Sequence, residues 1–484
     1  MHRRLLVILC IATVGLTAGC ATTTPRASYR EVDTMVRERI GVQARIEPEP
    51  LASVSSATAP RPATGVTLDA DRAVELALLN NASLRARIEE LGLAHAELVQ
   101  ARFISNPRAH VAFRFPAGGG AAGTGAEAGL VLDFISLIAR PLKKRMAAVQ
   151  FEQAKLRLSH EVLKLAVDVK SAFHALQATL QRLELRRTIV ESMQTAAELA
   201  ERQLEAGNIS TPDLTTHRAA FQDASMELRH DEVEATVERE KLALLMGIQD
   251  QQGWVVAPRL PRLPGGDPDL KRLEALAIAQ RWDLLAARRE PAVLEDALRL
   301  ARLNVLTGFD MGVDSERDYD GQRGVGPAAE FPVPVFDQGQ GAKARVRAQL
   351  RQSRYSLTAL EQDVRFEVRS AWAHLAAARK DVDAYATDVL PLRRQLVDET
   401  LKRYNFMLEG VYQLLAAKRN QLDAERGAIE AQKTYWTSWA ELERAVGGRI
   451  PPELVPATRR PDPPPAPAPA PMMDHSAHQH GGLR

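Results

Sequence analysis

Apolar residues recur at every third or fourth position over two very long stretches of the chain. In the second stretch the spacing holds at Leu357, Leu360, Val364, Val368, Ala371, Leu375, Ala378, Val382, Tyr385, Val389, Leu392 and Leu396. The first stretch shows it at Val162, Leu165, Val169, Phe173, Leu176, Leu180 and Leu183. Such stripes bury against other helices in the manner of a coiled coil. The helix predicted from about Lys143 to Ala206 would be on the order of 95 Å long, longer than a globular core requires.

A pair of short segments with partial alternation of apolar and polar residues precedes each long helix. The first pair runs from His110 to Phe115 and from Glu127 to Phe134, around a glycine-rich loop. The second pair is predicted at Val305 to Val313 and Ala328 to Phe336, around a polar loop from Asp314 to Gly326. Each pair is typical of a β-hairpin. A helical stretch from Ala73 to Arg102 precedes the first hairpin and ends before Pro107, which cannot continue a helix.

Both long helices end at a turn and are followed by a returning helix. The first turn carries Gly207 as a helix-ending glycine, then Ser210, Pro212 and Asp213, which favour the start of a new helix. The second turn has only Gly410 in the corresponding stretch. The returning helices are predicted to end at Gly247 and Gly447.

The order helix, hairpin, long helix, turn and helix therefore occurs twice, with an offset near 200 residues. Identical residues at this offset include the pairs Ala77 and Ala277, Leu84 and Leu284, Ala86 and Ala286, Lys143 and Lys343, Arg145 and Arg345, Leu214 and Leu414, and Asp223 and Asp423. We assign residues 67–250 to repeat 1, 251–267 to a linker and 268–448 to repeat 2.

The N-terminus has the features of an export signal. A basic segment, His2 to Arg4, precedes an apolar stretch from Leu5 to Leu16 and small residues up to Cys20. This end resembles a bacterial lipobox, which implies a signal peptide over residues 1–19, acylation of Cys20 and a lipidated N-terminal segment over residues 20–66. Ordinary secretory cleavage with an incidental cysteine is the alternative.

Composition narrows the class of protein. The 484 residues include 63 basic and 61 acidic side chains, and this balance argues against nucleic-acid binding. Beyond the N-terminus no run approaches 18 apolar residues, so no membrane-spanning helix is predicted. Gly118, Gly120 and Gly123 imitate a dinucleotide-binding loop, but a strand rather than a helix follows them. No nucleophile and base pair suggests itself, and His95, His174, His217 and His374 are predicted to lie on helix surfaces. We predict that the chain is not an enzyme.

Several local motifs, in this order along the chain, are similar to the TolC family of outer-membrane efflux proteins. They are the turn segment from Gln203 to Leu214, the Pro-Val-Pro-Val-Phe-Asp-Gln-Gly segment Pro332 to Gly339, the mid-helix Val389-Leu390-Pro391 and the second turn from Arg403 to Leu415. The resemblance covers roughly residues 67–448.

The resemblance implies a mainly α fold with a small β part. The long helices would form an α-barrel tunnel, and each chain of a homotrimer would give four strands to a twelve-stranded outer-membrane β-barrel. Four strands alone cannot close a barrel, and open strand edges are not tolerated in lipid. The protein would be lipid-anchored in the outer membrane of a Gram-negative bacterium, with its helical tunnel in the periplasm.

The same resemblance implies a periplasmic adaptor protein and an inner-membrane pump as partners. The adaptor would contact the two turns, at Gly207, Ser210, Asp213, Met407, Gly410 and Gln413. Some family members carry an acidic ring on the second turn. The matching positions here are Gln413 and Ala416, so that ring is absent, and Glu409 nearby is the candidate to substitute for it.

The C-terminal residues 449–484 comprise a proline-rich linker and a tail rich in histidine and methionine. Met472, Met473, His475, His478 and His480 offer thioether and imidazole ligands, a set that favours copper or silver. Nickel or zinc bound by imidazole, and a solvated tail without function, are the alternatives. No other cofactor is predicted.

Together these features predict an exit duct of a tripartite efflux system that exports heavy-metal ions, with copper or silver favoured, from the periplasm or cytoplasm to the exterior. The alternatives are a multidrug or organic-solute channel of the same fold and a non-channel periplasmic coiled-coil lipoprotein. The two hairpins favour a channel, because a coiled coil needs neither.

Overall fold

The computed structural model describes residues 26–43, 46, 66–115, 124–248, 253–306 and 308–456. Cys20, the glycines Gly118, Gly120 and Gly123, and the tail from Met472 lie outside the described residues, so the predictions for them stay predictions.

Helices account for most of the described chain. The N-terminal segment and repeat 1 contain α1 (Arg26–Ile40), β1 (Val66–Leu68), α2 (Ala70–Asn80), α3 (Ala82–Gln100), β2 (Arg108–Arg114), β3 (Gly125–Asp133), α4 (Phe134–Glu205) and α5 (Thr211–Met246). The rest contains β4 (Trp254–Val256), α6 (Leu270–Gln280), α7 (Trp282–Ala287), α8 (Glu290–Leu303), β5 (Asp310–Arg317), β6 (Arg323–Glu330), α9 (Gln340–Ala384), α10 (Leu390–Asn405) and α11 (Val411–Val446). The predicted mainly α fold with four hairpin strands is confirmed.

The two repeats match in register at both ends. Helices α2 and α6 start and end 200 positions apart, as do the returning helices α5 and α11. Gly247 and Gly447 end the returning helices in the same left-handed conformation, with φ of +68° and +90°. In the first repeat this conformation also allows a close approach, because a Cβ on Gly247 would lie 2.5 Å from the carbonyl oxygen of Asn80.

The first helical stretch of each repeat is broken after eleven residues. In repeat 1 the predicted single helix from Ala73 to Arg102 is two helices, because Asn81 caps the second one by accepting a hydrogen bond from the Leu84 amide at 3.0 Å. The Asn81 side chain also donates to the Leu245 carbonyl at 2.9 Å. Arg281 occupies the equivalent break in repeat 2 and pairs with Asp283 and Glu367. Both breaks therefore tie the short helices to other parts of the bundle.

Helix α4 spans 72 residues, which corresponds to about 108 Å. It begins nine residues before the predicted Lys143, since Asp133 caps it by accepting from the Ser136 amide at 2.9 Å. Repeat 2 divides the corresponding stretch, from Gln340 to Asn405, into α9, a five-residue π-helix from Tyr385 to Val389, and α10. Pro391 follows this wider turn, which accommodates its missing amide donor. Tyr385 packs on Gly427 of α11, where an added Cβ would lie 2.4 Å from the hydroxyl oxygen.

The two hairpins join into one antiparallel sheet in the order β2-β3-β5-β6. The register between β3 and β5 runs from Ala126 opposite Arg317 to Asp133 opposite Asp310. Within the described residues β2 pairs only with β3 and β6 only with β5, so both outer edges are open.

The predicted positions of the second hairpin were wrong by about five residues, whereas the first hairpin agrees within two. Strand β6 ends at Glu330 rather than Phe336 because Pro332 and Pro334 have no amide hydrogen to donate to a ladder. The turn is short and ends at Gly321, whose amide donates to the Asp318 carbonyl at 3.0 Å and whose φ is +87°. The residues predicted as a loop from Asp314 therefore belong largely to strands.

Two further elements were not predicted. Strands β1 and β4 form a parallel pair with Val66 opposite Trp254, so the predicted linker 251–267 contains a strand. Trp254 is fully buried beneath Arg239, whose guanidinium carbon lies 4.1 Å from the indole centroid. Helix α1 buries Tyr29, Val32 and Val36 and packs against α4, so the segment predicted to be lipidated is partly helical.

A buried ion pair joins the two repeats. The Lys170 ammonium of α4 lies 2.9 Å from the Glu443 carboxylate of α11, and both side chains are largely buried. Removing one partner would leave a charge buried without its counter-ion, and this commonly costs about 3 kcal/mol or more.

We expect Lys170→Met to destabilise the protein by about 3 kcal/mol, because Glu443 would lose its counter-ion. Thermal denaturation followed by circular dichroism measures this loss. The double variant Lys170→Met/Glu443→Leu should recover most of it. Lys402→Met, which breaks an exposed pair with Glu399, is the matched control and should cause no measurable change. Equal melting temperatures for Lys170→Met and the control would contradict the prediction.

Candidate functional site

The two turns between the long and returning helices have the same backbone geometry but different residues. In each turn, the amide two residues past the helix cap donates a hydrogen bond to a carbonyl of the long helix. Asn208 donates to the Gln203 carbonyl at 2.8 Å, and Leu408 donates to the Arg403 carbonyl at 2.9 Å. The left-handed position is Gly207 in the first turn and Met407 in the second, with φ of +73° and +56°. Met407 is the only non-glycine residue with positive φ among the described residues. The second turn therefore carries backbone strain that the first does not.

Two of the predicted residues of the first turn, Ser210 and Asp213, form one hydrogen-bonded unit. Ser210 donates to the Asp213 carboxylate through its amide at 3.0 Å and its hydroxyl at 2.6 Å. These hydrogen bonds to the charged form hold the pKa of Asp213 below its usual value. The start of α5 is thus fixed by a capping box, with Pro212 in its first turn.

The second turn presents an apolar tip. Phe406, Met407 and Leu408 are exposed, Met407 to 94%. Behind the tip, Glu409 pairs with Arg403 at 2.7 Å. Gly410 provides an extended residue before α11, and Gln413 lies one turn further on. The Glu409 carboxylate is therefore already paired with a guanidinium. It does not stand as an isolated acid of the kind that forms the acidic ring of some family members.

Tyr412 joins the two turns, and its role was missed from the sequence. Its hydroxyl donates to Gln203 Oε1 of α4 at 2.6 Å. The ring of His217 from α5 stacks on it, with centroids 4.0 Å apart and an interplanar angle of 19°. Burial in this stack lowers the pKa of His217. The structure thus brings the ends of α4, α5 and α11 together through one side chain.

At the other functional region, the four-stranded sheet separates its side chains by polarity. Cross-strand partners share a face, and successive residues alternate between faces. We call the first set the apolar face: Ala109, Val111, Phe113, Ala126, Ala128, Leu130, Leu132, Met311, Val313, Val325, Pro327 and Ala329. Most of its large side chains, including Val111, Phe113 and Val325, are exposed, and Leu132 is half-buried. Ser315, Arg317 and Arg323 continue this face only at the end near the β5–β6 turn.

The opposite side, the polar face, carries the charged residues Arg108, His110, Arg114, Glu127, Asp133, Asp310, Asp314, Glu316 and Glu330. Six carboxylates thus stand against two guanidiniums and one imidazole. Arg108 pairs with Asp310, and Arg114 pairs with Glu127 and Glu316. The polar face is not predicted from the sequence, because Asp314 and Glu316 fall in the segment predicted as a loop. Their spacing at every second position was the available signal.

One predicted surface histidine is buried. The imidazole of His174 is 8% exposed, packs near Trp436 and donates from Nδ1 to Gln177 Oε1 at 3.0 Å. Burial lowers its pKa. The prediction of a surface position was therefore wrong, and the reason is that α11 supplies aromatic cover. His174 lines a cavity of about 410 Å³ together with Lys170, Trp439 and Glu443.

Over the part of the chain that the structure describes, no helix is both long and apolar enough to cross a membrane. Across the same residues, no three side chains of His, Cys, Asp or Glu are gathered as in a resident metal centre.

Comparison with known proteins identifies relatives at the level of sequence and of fold. No family model matches the chain. The cobalt-zinc-cadmium resistance protein CzcC of Cupriavidus metallidurans is 25% identical over 291 residues, which are 58% of this chain and 66% of that protein. The match therefore spans slightly less than two thirds of the relative.

Solved structures extend the likeness over most of the chain. The structure of CusC, described in connection with transmembrane channel formation, has a TM-score of 0.65 at 15% identity and covers 81% of this chain and 96% of CusC. The CmeC outer membrane channel of Campylobacter jejuni has a TM-score of 0.66 at 13% identity, covering 81% and 90%. At these identities the likeness establishes the fold alone, which is the fold of these channel structures.

We expect Met407→Gly to stabilise the second turn by about 1 kcal/mol, because glycine adopts positive φ without the side-chain penalty. The matched variant Gly207→Ala should destabilise the first turn by a similar amount, since an added Cβ there would meet nothing within 4 Å and only the backbone term remains. Hydrogen–deuterium exchange of the amides flanking each turn measures both effects. Changes of the same sign in the two variants would rule out this account of the strain.

Proposed function

We propose that this chain, which has the fold of the TolC family of outer-membrane efflux proteins, forms the outer-membrane exit duct of a tripartite efflux system. The observation that carries the proposal is the sheet. One face is apolar and exposed, the other is charged, and both edge strands are open. Such a sheet suits a wall between lipid and an aqueous lumen.

The open edges support a trimer. In lipid, the free amides and carbonyls of β2 and β6 need partners, which a neighbouring chain's β6 and β2 would provide. Three copies of the sheet would close a twelve-stranded barrel with the apolar face outside and the polar face lining the lumen. No single chain of this structure can achieve that closure.

The helices support a duct that continues away from the membrane. Helix α4 alone would extend the protein by on the order of 100 Å, and the turns lie at the far end of the helices from the sheet. Gly207, Ser210, Asp213, Met407, Gly410 and Gln413 occupy those turns, where a periplasmic adaptor would dock and connect the duct to an inner-membrane pump. The exposed apolar tip at Met407 gives such a partner a surface to bury.

The N-terminal segment supports lipid anchoring in the outer membrane of a Gram-negative bacterium. Acylation of Cys20 would place the anchor only six residues before α1, which packs against α4. Acyl chains and a barrel would then hold the same protein to the same membrane.

We propose heavy-metal ions as the cargo. The tail ligands Met472, Met473, His475, His478 and His480 favour copper or silver. A second candidate is a divalent ion, because the printed name of the matched relative is a cobalt-zinc-cadmium resistance protein. An organic solute carried by the same duct is the alternative that a metal-tolerance assay addresses.

We expect the detergent-solubilised full chain to be a trimer, because one chain's four strands leave two edges unsatisfied. Size-exclusion chromatography with light scattering gives the mass. Circular dichroism and infrared spectra report the strand content. A monodisperse monomer would contradict the barrel and favour a periplasmic coiled-coil lipoprotein.

We expect cells lacking the protein to lose tolerance to heavy-metal ions, and cells lacking only residues 472–484 to lose part of it for copper or silver. The tail follows a proline-rich linker, so its removal should leave trimer formation intact. Growth in graded copper, silver, zinc, cobalt and cadmium, compared with growth in organic toxicants, distinguishes the cargo classes. If the deletion strain became sensitive to organic toxicants alone, heavy metals would be ruled out as the cargo and the organic-solute alternative would be favoured.

A further inference from the structure

The apolar face of the sheet continues past the ends of the strands. One rung beyond Asp310, the register places Phe134, Phe309 and Phe331 side by side, and the alternation of residues puts them on the side of the apolar face. The ladder reaches this rung, because the Phe134 amide donates to the Phe309 carbonyl at 3.0 Å. The ring centroids are 5.7 Å apart for Phe134 and Phe309 and 6.1 Å apart for Phe309 and Phe331. A row of three aromatic rings therefore closes the apolar face at the end where α4 begins.

Residues 332–336, which we call the boundary segment, keep this apolar character without continuing the strand. Val333, Val335 and Phe336 are exposed, Phe336 to 93%. Polar residues resume directly afterwards, at Asp337 and Gln338. Other large apolar side chains near the same end of the sheet are exposed as well, namely Phe103, Ile104, Leu137 and Ile138.

The strands alone are too short for the lipid-facing band of a membrane barrel. They contain seven to nine residues each. Eight residues at about 3.4 Å each, tilted by about 40°, rise about 20 Å along a barrel axis, whereas the apolar band of such barrels is about 25 Å tall. At the β5–β6 turn the apolar face already gives way to Ser315, Arg317 and Arg323. The residues that could supply the missing height on β5 and β6 therefore lie at the helix end.

The backbone of the boundary segment suits an apolar surrounding. Irregular backbone is excluded from hydrocarbon because its free amides would find no acceptor there. Pro332 and Pro334 carry no amide hydrogen, and the Val335 amide donates to the Val333 carbonyl at 2.8 Å. Of the five residues, only three therefore bring an amide hydrogen, and one of these three is already bonded.

We propose that the boundary segment and the aromatic row contact lipid at the helix end of the sheet, where acyl chains meet headgroups. The proposal rests on the proposed function, since it requires the apolar face to meet lipid. It adds that the membrane boundary lies near Asp337, just before α9, and not at the strand end Glu330. Aromatic rings concentrate at such boundaries. Lipid is favoured over a second copy as the occupant because the aromatic row extends the apolar face, whereas neighbouring chains would pair with the strand edges.

Nitroxide labels on introduced cysteines test the proposal in the full chain, reconstituted into dioleoylphosphatidylcholine vesicles. Oxygen concentrates in hydrocarbon and a water-soluble nickel chelate is excluded from it, so power saturation with each reagent distinguishes lipid from water. Labels in Val333→Cys and Phe336→Cys should be several times more accessible to oxygen than to the chelate. Val325→Cys, at an exposed position of the apolar face, is the lipid reference. The parent chain, labelled in parallel, gives the background from Cys10 and Cys20.

Phe366→Cys is the matched control. Phe366 and Val333 are both exposed to 71%, but Phe366 lies 26 residues into α9, roughly 40 Å along the helix. Its label should show no excess of oxygen over the chelate, because exposure of an apolar side chain does not by itself place it in lipid. Each variant is first checked for the oligomeric mass of the parent, and either labelled position of the boundary segment suffices if the other variant fails to assemble.

Two results would overturn the proposal while Val325 still reports lipid. The labels at Val333 and Phe336 could be open to the nickel chelate, which would place the boundary segment in water. They could instead be closed to both reagents, which would mean that a second copy covers it. Failure of the proposed function has a different signature, because Val325→Cys itself would then show no excess of oxygen and no part of the sheet would meet lipid.

Discussion

The unpaired backbone groups along the outer edges of β2 and β6 set the constraint on which the rest of the structure depends. A strand edge next to hydrocarbon has no water to satisfy it, and each unsatisfied group costs several kcal/mol. In the membrane setting that we propose, the edges are satisfied only in a closed assembly, and closure would turn the apolar face toward lipid and the polar face toward water. The charged residues of the polar face would then lie on the side away from hydrocarbon.

Each copy of the duplicated unit contributes one hairpin to the sheet, yet the two copies are not equivalent. Their ends coincide at an offset of 200 residues, and their turns share one backbone geometry. Repeat 1 has Gly207 and an uninterrupted α4, whereas repeat 2 has Met407 and a π-helix at Tyr385. The irregular features thus collect in repeat 2, where strain and an exposed apolar tip occur together. Such concentrations of local strain are typical of regions that bind or move.

Much of this architecture was predictable from sequence because its signals are local and periodic. Apolar spacing identified the long helices, and glycine with proline identified the turns. The prediction of the second hairpin failed because strand residues that are polar at every second position resemble a loop, and because two prolines after Glu330 were assigned to the strand. The contacts of Tyr412 with Gln203 and of His174 with Trp436 join residues more than 200 positions apart, and no periodicity encodes them. The three-residue strands β1 and β4 are too short to show any period.

The pairing of β3 with β5 has a consequence for how the protein is made. These strands are neighbours in space but are separated by α4, α5 and the first helices of repeat 2. The entropy of closing so long a loop has to be met before any of their ladder bonds forms. Until then each hairpin is a two-stranded ribbon with an exposed apolar side, a species that is marginally stable and prone to aggregate. The helical bundle can form earlier from contacts nearer in sequence and hold the two ribbons side by side. On this view the sheet is a late product of folding, and the bundle acts first as its scaffold and only afterwards as part of the proposed duct.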